Sequence, residues 1–402
     1  MATIRRQPFQ TVQTDMEEME RKIREHRLKI VKRAGIAVGV LLLIWLLIYI
    51  ISQVRTYDSH EVVSSSDRQD TAATNFKMFR GNILKYSNDG AFYTDTSNNL
   101  IWNQTYEMED PMVVTAGNYV AIGDKKGSLI YILDQEGLCG KIETTQPMMR
   151  IKISEKGTLA ILMEDKGIAY LRICDKTGKD LAEGELHVEN KGYPLDIALS
   201  KDGENLAVCM LDVQEGKLKS VIHFYNFGSA GKKKIDNEVA VCEYSDTVIP
   251  QMEYLDDDRM IALSDKKMFF FEGSKKPKES KAVKYESRLR TFFYNEKYIG
   301  MILDHESSGD EKENDVYCMK IYDHRGGAVK TITFSRTYRQ AEFLENNEIC
   351  LLNDNECTIF TTWGIEKYHE SLDKSIHQII PGRSSRRYQF ILDGETAQVK
   401  LK

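Results

Sequence analysis

Hydrophobic positions follow two regimes along the chain. Residues 34–52 read AGIAVGVLLLIWLLIYIIS, nineteen positions without a charge, while from residue 76 onward apolar residues come in runs of four to eight with a period of two. A helix rises about 1.5 Å per residue, so the first run is roughly 28 Å long, the thickness of a bilayer core. It predicts one transmembrane helix. The second regime is rich in Ile, Val, Leu, Phe and Tyr and is broken by the turn clusters SNDG, DKKG, SEKG, DKTG and SKDG. It predicts β-strands throughout.

The strand runs repeat as a unit. Second strands are expected from Ile83, Tyr119, Thr158, Asn205, Arg259, Lys297, Glu348 and Tyr388, at spacings of 36, 39, 47, 54, 38, 51 and 40 residues. Each follows a candidate first strand, from FKMF at Phe76 to HQIIP at His377, and precedes a third. Four-stranded propeller blades recur at about 40 to 50 residues, so the fold class is all-β: an eight-bladed, alternatively seven-bladed, β-propeller after one N-terminal transmembrane helix. The eighth unit stops short of its outer strand. A closed ring would complete it from the segment before Phe76, around residues 62–66.

Charge orients the span. Residues 19–33 carry seven Lys and Arg, and residues 53–67 only Arg55, so the positive-inside rule puts the N-terminus in the cytoplasm and the rest across the membrane. The tail before the span is too long, and Ser52-Gln53-Val54-Arg55 too unlike an A-x-A site, for a cleaved signal peptide. The expected domains are a basic, partly helical cytoplasmic tail (1–33), the transmembrane helix (34–52), a polar linker (53–75) and an extracytoplasmic propeller (76–402). The whole chain carries −6 against +4 for residues 1–33, which leaves −10 for the remainder. Such a domain does not suit nucleic acid, whose phosphates reward clustered cations.

Residues 153–179, ISEKGTLAILMEDKGIAYLRICDKTGK, and 199–212, LSKDGENLAVCMLD, carry a strand, an S-x-x-G turn, a second strand and a D-x-x-G turn. In this the chain resembles the quinoprotein-like and WD-repeat propellers. With the basic tail, single span, polar linker and ILKYSNDGAFYTDTSNNLIWNQTY at 83–106, it is similar to an uncharacterised family of single-span membrane-anchored propellers of Gram-positive bacteria. At the level of fold it also resembles the propeller lipoproteins that assist outer-membrane protein assembly. The resemblance implies a fold and a location, and supplies no site residues.

Chemistry is sparse in the motifs. The adjacent-cysteine disulfide that quinone-dependent propeller enzymes use is missing, since Cys139, Cys174, Cys209, Cys242, Cys318, Cys350 and Cys357 contain no Cys-Cys pair. Only Cys350 and Cys357 are spaced to face each other across a hairpin. His187, His223, His305, His324, His369 and His377 are scattered, and the acidic stretches 256–258 and 310–315 lack a calcium-loop frame. Nucleophile elbows and phosphate loops are absent from the sequence. Basic turns at 232–234, 275–278 and 383–387 read as solubilising. Trp102, Trp363, Phe269, Phe270, Phe292, Phe293, Tyr131 and Tyr225 lie in strand-like runs and are expected in the core. No catalytic, cofactor-binding or metal residue is assigned, and no cofactor.

The expected function is a membrane-anchored, non-enzymatic propeller acting as a binding or scaffolding module at the outer face of the cell membrane. Its partners are the lipid bilayer, through residues 34–52, and a protein or cell-envelope component. Met16, Met19, Ile23, His26 and Ile30 follow a coiled-coil seam, and Gly35 and Gly39 form G-x-x-x-G, so a homodimer through the anchor helix is one reading. A helix that only sets topology is the other. The alternative function is a hydrolase or lyase with its site in the central channel. Three or more carboxylates, histidines or arginines converging there would favour it.

Overall fold

A computed structural model describes residues 16–68, 74–187, 192–214, 216–305 and 316–402. The chain divides into two compact units, the first ending at Arg55 and the second spanning Thr56–Lys402. In the first, Met16–Val54 is one α-helix of 39 residues. The basic segment and the apolar run are therefore a single continuous element, and the helix runs two residues past the expected end of the span. Among the described residues it is the one helix long and apolar enough to cross a membrane.

The second unit is an eight-bladed β-propeller. Its eight sheets each have four antiparallel strands. Blades 1 to 7 occupy residues 75–105, 111–143, 148–187, 193–245, 251–284, 289–334 and 340–371 in sequence order. Blade 8 combines Ile376–Pro381, Arg387–Leu392 and Glu395–Leu401 with an outer strand from the other end of the chain, His60–Asp67. That strand pairs antiparallel with Glu395–Leu401, from His60 opposite Leu401 to Asp67 opposite Glu395. The closing strand thus lies where it was expected, and the seven-bladed alternative falls. The linker reading of 53–75 needs correction for the same reason, because the segment contributes a strand to the ring.

Period-two alternation builds the core between blades. On the second strand of blade 4, Leu206, Val208 and Met210 pack with blade 3, whereas Ala207 and Cys209 pack with blade 5. Most residues of the second strands are buried on both faces, and apolar clusters fill each interface around the ring. Phe269, Phe270, Phe293, Tyr131, Tyr225 and Trp102 are buried as expected. Trp363 is not: it sits in a turn and is 40% exposed. Cys350 and Cys357 are both free, since the hairpin register sets Cys357 opposite Leu352 and Cys350 opposite Ile359.

Aspartates close the turns between third and fourth strands. The Oδ1 of Asp175 accepts from the backbone N–H of Thr177 at 2.8 Å and of Lys179 at 3.1 Å; Asp323 does the same with Arg325 and Gly327, both at 2.8 Å. Gly178 and Gly326, at φ 88° and 73°, supply the left-handed residue each turn needs. The D-x-x-G signal in the sequence is therefore a local turn device.

Blade 8 meets blade 1 through a small apolar cluster of Ile83, Ile380 and Ile391, with Phe76 and Met78 against it. A buried cation supplements it. Arg68, just after the closing strand, donates to the carbonyls of Leu392 at 2.6 Å and Glu395 at 2.7 Å and to Thr396 Oγ1 at 2.7 Å, and its guanidinium lies 4.9 Å from the Phe76 ring centre.

Candidate functional site

The first strands of neighbouring blades approach one another and so line the centre of the ring. Most of these strands interrupt an apolar run with one or two polar residues, because only the side chains at the channel are excused from inter-blade packing. Lys77 comes from blade 1 (Asn75–Phe79), Lys152 and Arg150 from blade 3 (Met148–Ile153) and Asp196 from blade 4 (Tyr193–Leu199). Glu253 comes from blade 5 (Gln251–Tyr254), Tyr294 from blade 6 (Leu289–Tyr294), Glu342 from blade 7 (Gln340–Phe343) and Gln378 from blade 8 (Ile376–Pro381).

These groups bind one another across the channel. The Lys152 ammonium forms an ion pair with Glu253, whose other oxygen accepts from the Tyr294 hydroxyl at 3.1 Å. Asp196 accepts from the backbone N–H of Met252 at 2.8 Å, and Arg150 Nε stands 3.7 Å from its other oxygen. Gln378 Nε2 donates to Glu342 at 2.5 Å. Lys77 Nζ donates to the carbonyl of Val113, on blade 2, at 3.1 Å.

Enclosure shifts their protonation. Burial pushes Asp196 up to about 6, opposed by the charge of Lys152, and pushes Glu342 up to about 7, opposed by Gln378. Burial, then the nearby Lys152 charge, draws Lys77 below the usual lysine value. The Tyr294 phenol is raised by burial and by Glu253. Lys77 keeps contact with channel water, yet protein surrounds it on every side, which is why desolvation dominates.

For Glu342 the sign is clear. Between the ordinary glutamate value and about 7 the folded chain holds the proton and the unfolded chain does not, so stability falls as pH rises through that window. The fall is at most about 3 kcal/mol, is absent below the ordinary value, and is complete above about 7. Glu342→Gln is expected to remove that slope between acidic and mildly alkaline pH, as read by urea unfolding at a series of pH values.

A cavity of about 350 Å³ opens among blades 1 to 6, with Lys77, Thr115, Lys152, Glu253 and Tyr294 in its wall. Glu155, Lys201 and Glu296, from turns that follow first strands, line its more exposed part. There Lys201 pairs with Glu155 at 2.9 Å.

Several other residues singled out in the sequence are bonded elsewhere, and His377, on the first strand of blade 8, packs its ring 4.9 Å from that of Phe76. His223 bonds Glu238 at 2.9 Å on blade 4, His324 bonds the carbonyl of Asn295 at 2.9 Å, and His369 bonds Thr358 at 3.0 Å on blade 7. Asp256 holds Arg259 at 2.6 Å, and Asp257 accepts from the N–H of Asp202 at 2.8 Å, tying the turns of blades 4 and 5 together. Residues 310–315 lie outside the described residues. Among the described residues, no group of three His, Cys, Asp or Glu is arranged to hold a metal. The channel residues went unassigned in the sequence, although the polar letters inside FKMF, RIKIS, DIALS, MEYL and AEFL were their signal.

Residues 53–401 match a family of unknown function, DUF5711. Among solved structures, a eukaryotic initiation factor is similar over 82% of this chain and 82% of its own, at 11% identity and a TM-score of 0.50. BamB from Moraxella catarrhalis is similar over 85% of this chain and 100% of its own, at 13% identity and a TM-score of 0.46. The Pan2 WD40 domain of Neurospora crassa covers 73% of this chain and 89% of its own, at 8% identity and a TM-score of 0.42. At such identities the likeness concerns the fold alone. No curated protein sequence matches the chain.

Proposed function

The chain belongs to this family of unknown function, DUF5711, and from that premise we propose that it is a membrane-anchored, non-enzymatic binding module. In this reading residues 34–52 remain in the bilayer as an uncleaved anchor. The propeller lies on the outer face of the cell membrane, where it holds a protein or cell-envelope partner.

The observation that carries the reading is the mutual commitment of the channel groups. Glu253 is taken by Lys152 and Tyr294, Asp196 by Met252 N–H and Arg150, and Glu342 by Gln378. A general acid or base must reach a substrate proton with a free oxygen, and each of these carboxyl groups is engaged by the ring itself. Such bonds make the ring stiff, and a stiff ring presents its turns as a fixed surface. The seven Lys and Arg before the span, against one after it, support the orientation. The helix ends at Val54, and Tyr57 belongs to the propeller core.

The test is affinity capture after crosslinking in cells, comparing the full chain with one that lacks residues 1–52. One partner enriched by the full chain, and less by the truncated one, is the expected result. Recovery of none by either would count decisively against the module.

A second reading, a hydrolase or lyase acting in the channel, has one observation in its favour. Asp196, Glu253, Glu342 and Arg150 do converge there, and two of the carboxyls titrate near neutrality, at about 6 and 7. The readings separate on Asp196→Asn and Glu342→Gln. A binding module keeps its partner with both changes, whereas an enzyme loses turnover.

A further inference from the structure

One cation of the channel cavity is treated differently from the rest. Lys152 is matched to Glu253, and Lys201 is matched to Glu155. Lys77 has no carboxylate within ion-pair distance among the described residues. Its ammonium has three hydrogens to donate, and its one acceptor is the backbone carbonyl of Val113.

Two carboxyl groups act on Lys77 by charge alone, Glu253 and then Glu342 on blade 7, and both are committed elsewhere: Glu253 bonds Lys152 and Tyr294, and Glu342 bonds Gln378. Burial keeps the Glu342 carboxyl protonated well above the ordinary glutamate range, so it compensates Lys77 poorly. Lys152, across the same space, adds a second positive charge to the field at Lys77. An enclosed ammonium without a carboxylate partner favours either loss of its proton or capture of an anion.

The surroundings suit capture. Lys77 lines the 350 Å³ cavity together with Thr115 and Lys152. That volume admits a small molecule but not a polymer segment. A carboxylate or phosphate oxygen at Lys77 would satisfy a hydrogen that otherwise faces channel water, in a charge-assisted bond of the stronger kind.

We propose that the channel binds a small molecule through one oxyanion group, a carboxylate or a phosphate, with Lys77 as its charge partner and Thr115 and Lys152 beside it. The site is separate from whatever the outer surface of the ring holds, and it does not depend on the scaffold reading.

The experiment is isothermal titration of the full chain in detergent micelles with acetate, with inorganic phosphate, and with choline chloride as a cationic control. One-to-one binding of acetate or phosphate, and none of choline, is expected, and whichever anion binds identifies the group. Lys77→Met should weaken binding at least about tenfold, Lys77→Arg should retain most of it, and Lys276→Gln, on an exposed turn of blade 5 outside the cavity, should leave it nearly unchanged. Absence of one-to-one anion binding, or equal affinity in Lys77→Met, overturns the proposal. If Lys77→Met does not fold, the ¹⁵N shift of the Lys77 ammonium, assigned through Lys77→Arg, is followed instead. A shift on adding acetate or phosphate is expected, and an unmoved resonance overturns the proposal.

Discussion

A chain that begins at residue 69 is expected to lose its cooperative unfolding transition and to aggregate, while one that begins at residue 56 stays soluble. The difference is the closing strand. Without His60–Asp67 the strand Glu395–Leu401 becomes a bare edge, and a row of unpaired backbone groups invites pairing with other copies. Seven residues of ladder are lost, each net hydrogen bond being worth about 0.5 to 1.5 kcal/mol. Loss of Tyr57 from the blade 7 and 8 core and of Arg68 from the seam with blade 1 adds to this. The sum rivals the whole stability of a typical domain, about 5 to 15 kcal/mol. Size-exclusion chromatography with thermal circular dichroism reads the outcome. A cooperative, unaggregated chain starting at 69 would mean that the ring does not depend on its N-terminal strand.

The second large effect is expected at Lys367. This residue is on the outer strand of blade 7, yet it is wholly buried. Its ammonium pairs with Glu348 and donates to the carbonyl of Ser385 at 2.6 Å and the Tyr388 hydroxyl at 2.8 Å, while the Tyr388 hydroxyl also bonds Glu348. The network joins blade 7 to blade 8. Lys367→Met leaves the Glu348 carboxylate buried without its cation, which should cost about 3 to 5 kcal/mol in urea unfolding. The double change Lys367→Met with Glu348→Gln should recover much of that loss, because the penalty belongs to the stranded charge. A single change that costs no more than a surface substitution would contradict this account of the blade 7 and 8 interface.

The sequence made the inner ring legible and left the outer ring obscure, for one physical reason. Second and third strands are largely buried on both faces between blades, so they read as short apolar runs: the second strand expected from Tyr119 is Tyr119–Asp124, and that from Asn205 is Asn205–Gln214. Fourth strands have a single strand neighbour and face water. Lys278–Lys284 is KESKAVK, and His60–Asp67 is HEVVSSSD; both are mostly exposed. The second of these passed for linker on composition, although the missing strand of the eighth unit pointed to it. Ring closure, a global constraint, located what local hydropathy could not.

The channel shows the same division. Polar letters at Lys77, Lys152, Asp196, Glu253 and Glu342 are visible inside apolar runs, but nothing in their spacing says that five different blades bring them together. Their pairing depends on which side chain crosses to which blade, and Glu253 meeting Lys152 rather than Lys77 is a matter of ring geometry. The buried Lys367 was illegible too, since a lysine in EKYHES reads as an exposed position.

The proposed arrangement, a propeller held outside the cell by an uncleaved helix, is tested most directly by cysteine labelling. Ser97→Cys lies on an exposed turn of blade 1 and Glu25→Cys on the exposed basic part of the helix. The native cysteines make a quiet background, being buried or half-buried, with burial pushing the thiol of half-buried Cys139 up to about 11. With a membrane-impermeant maleimide on intact cells, Ser97→Cys should label on a full-length, membrane-bound chain, and Glu25→Cys should label only after lysis. The reverse pattern, or a labelled ring released from the membrane without residues 34–52, would contradict it.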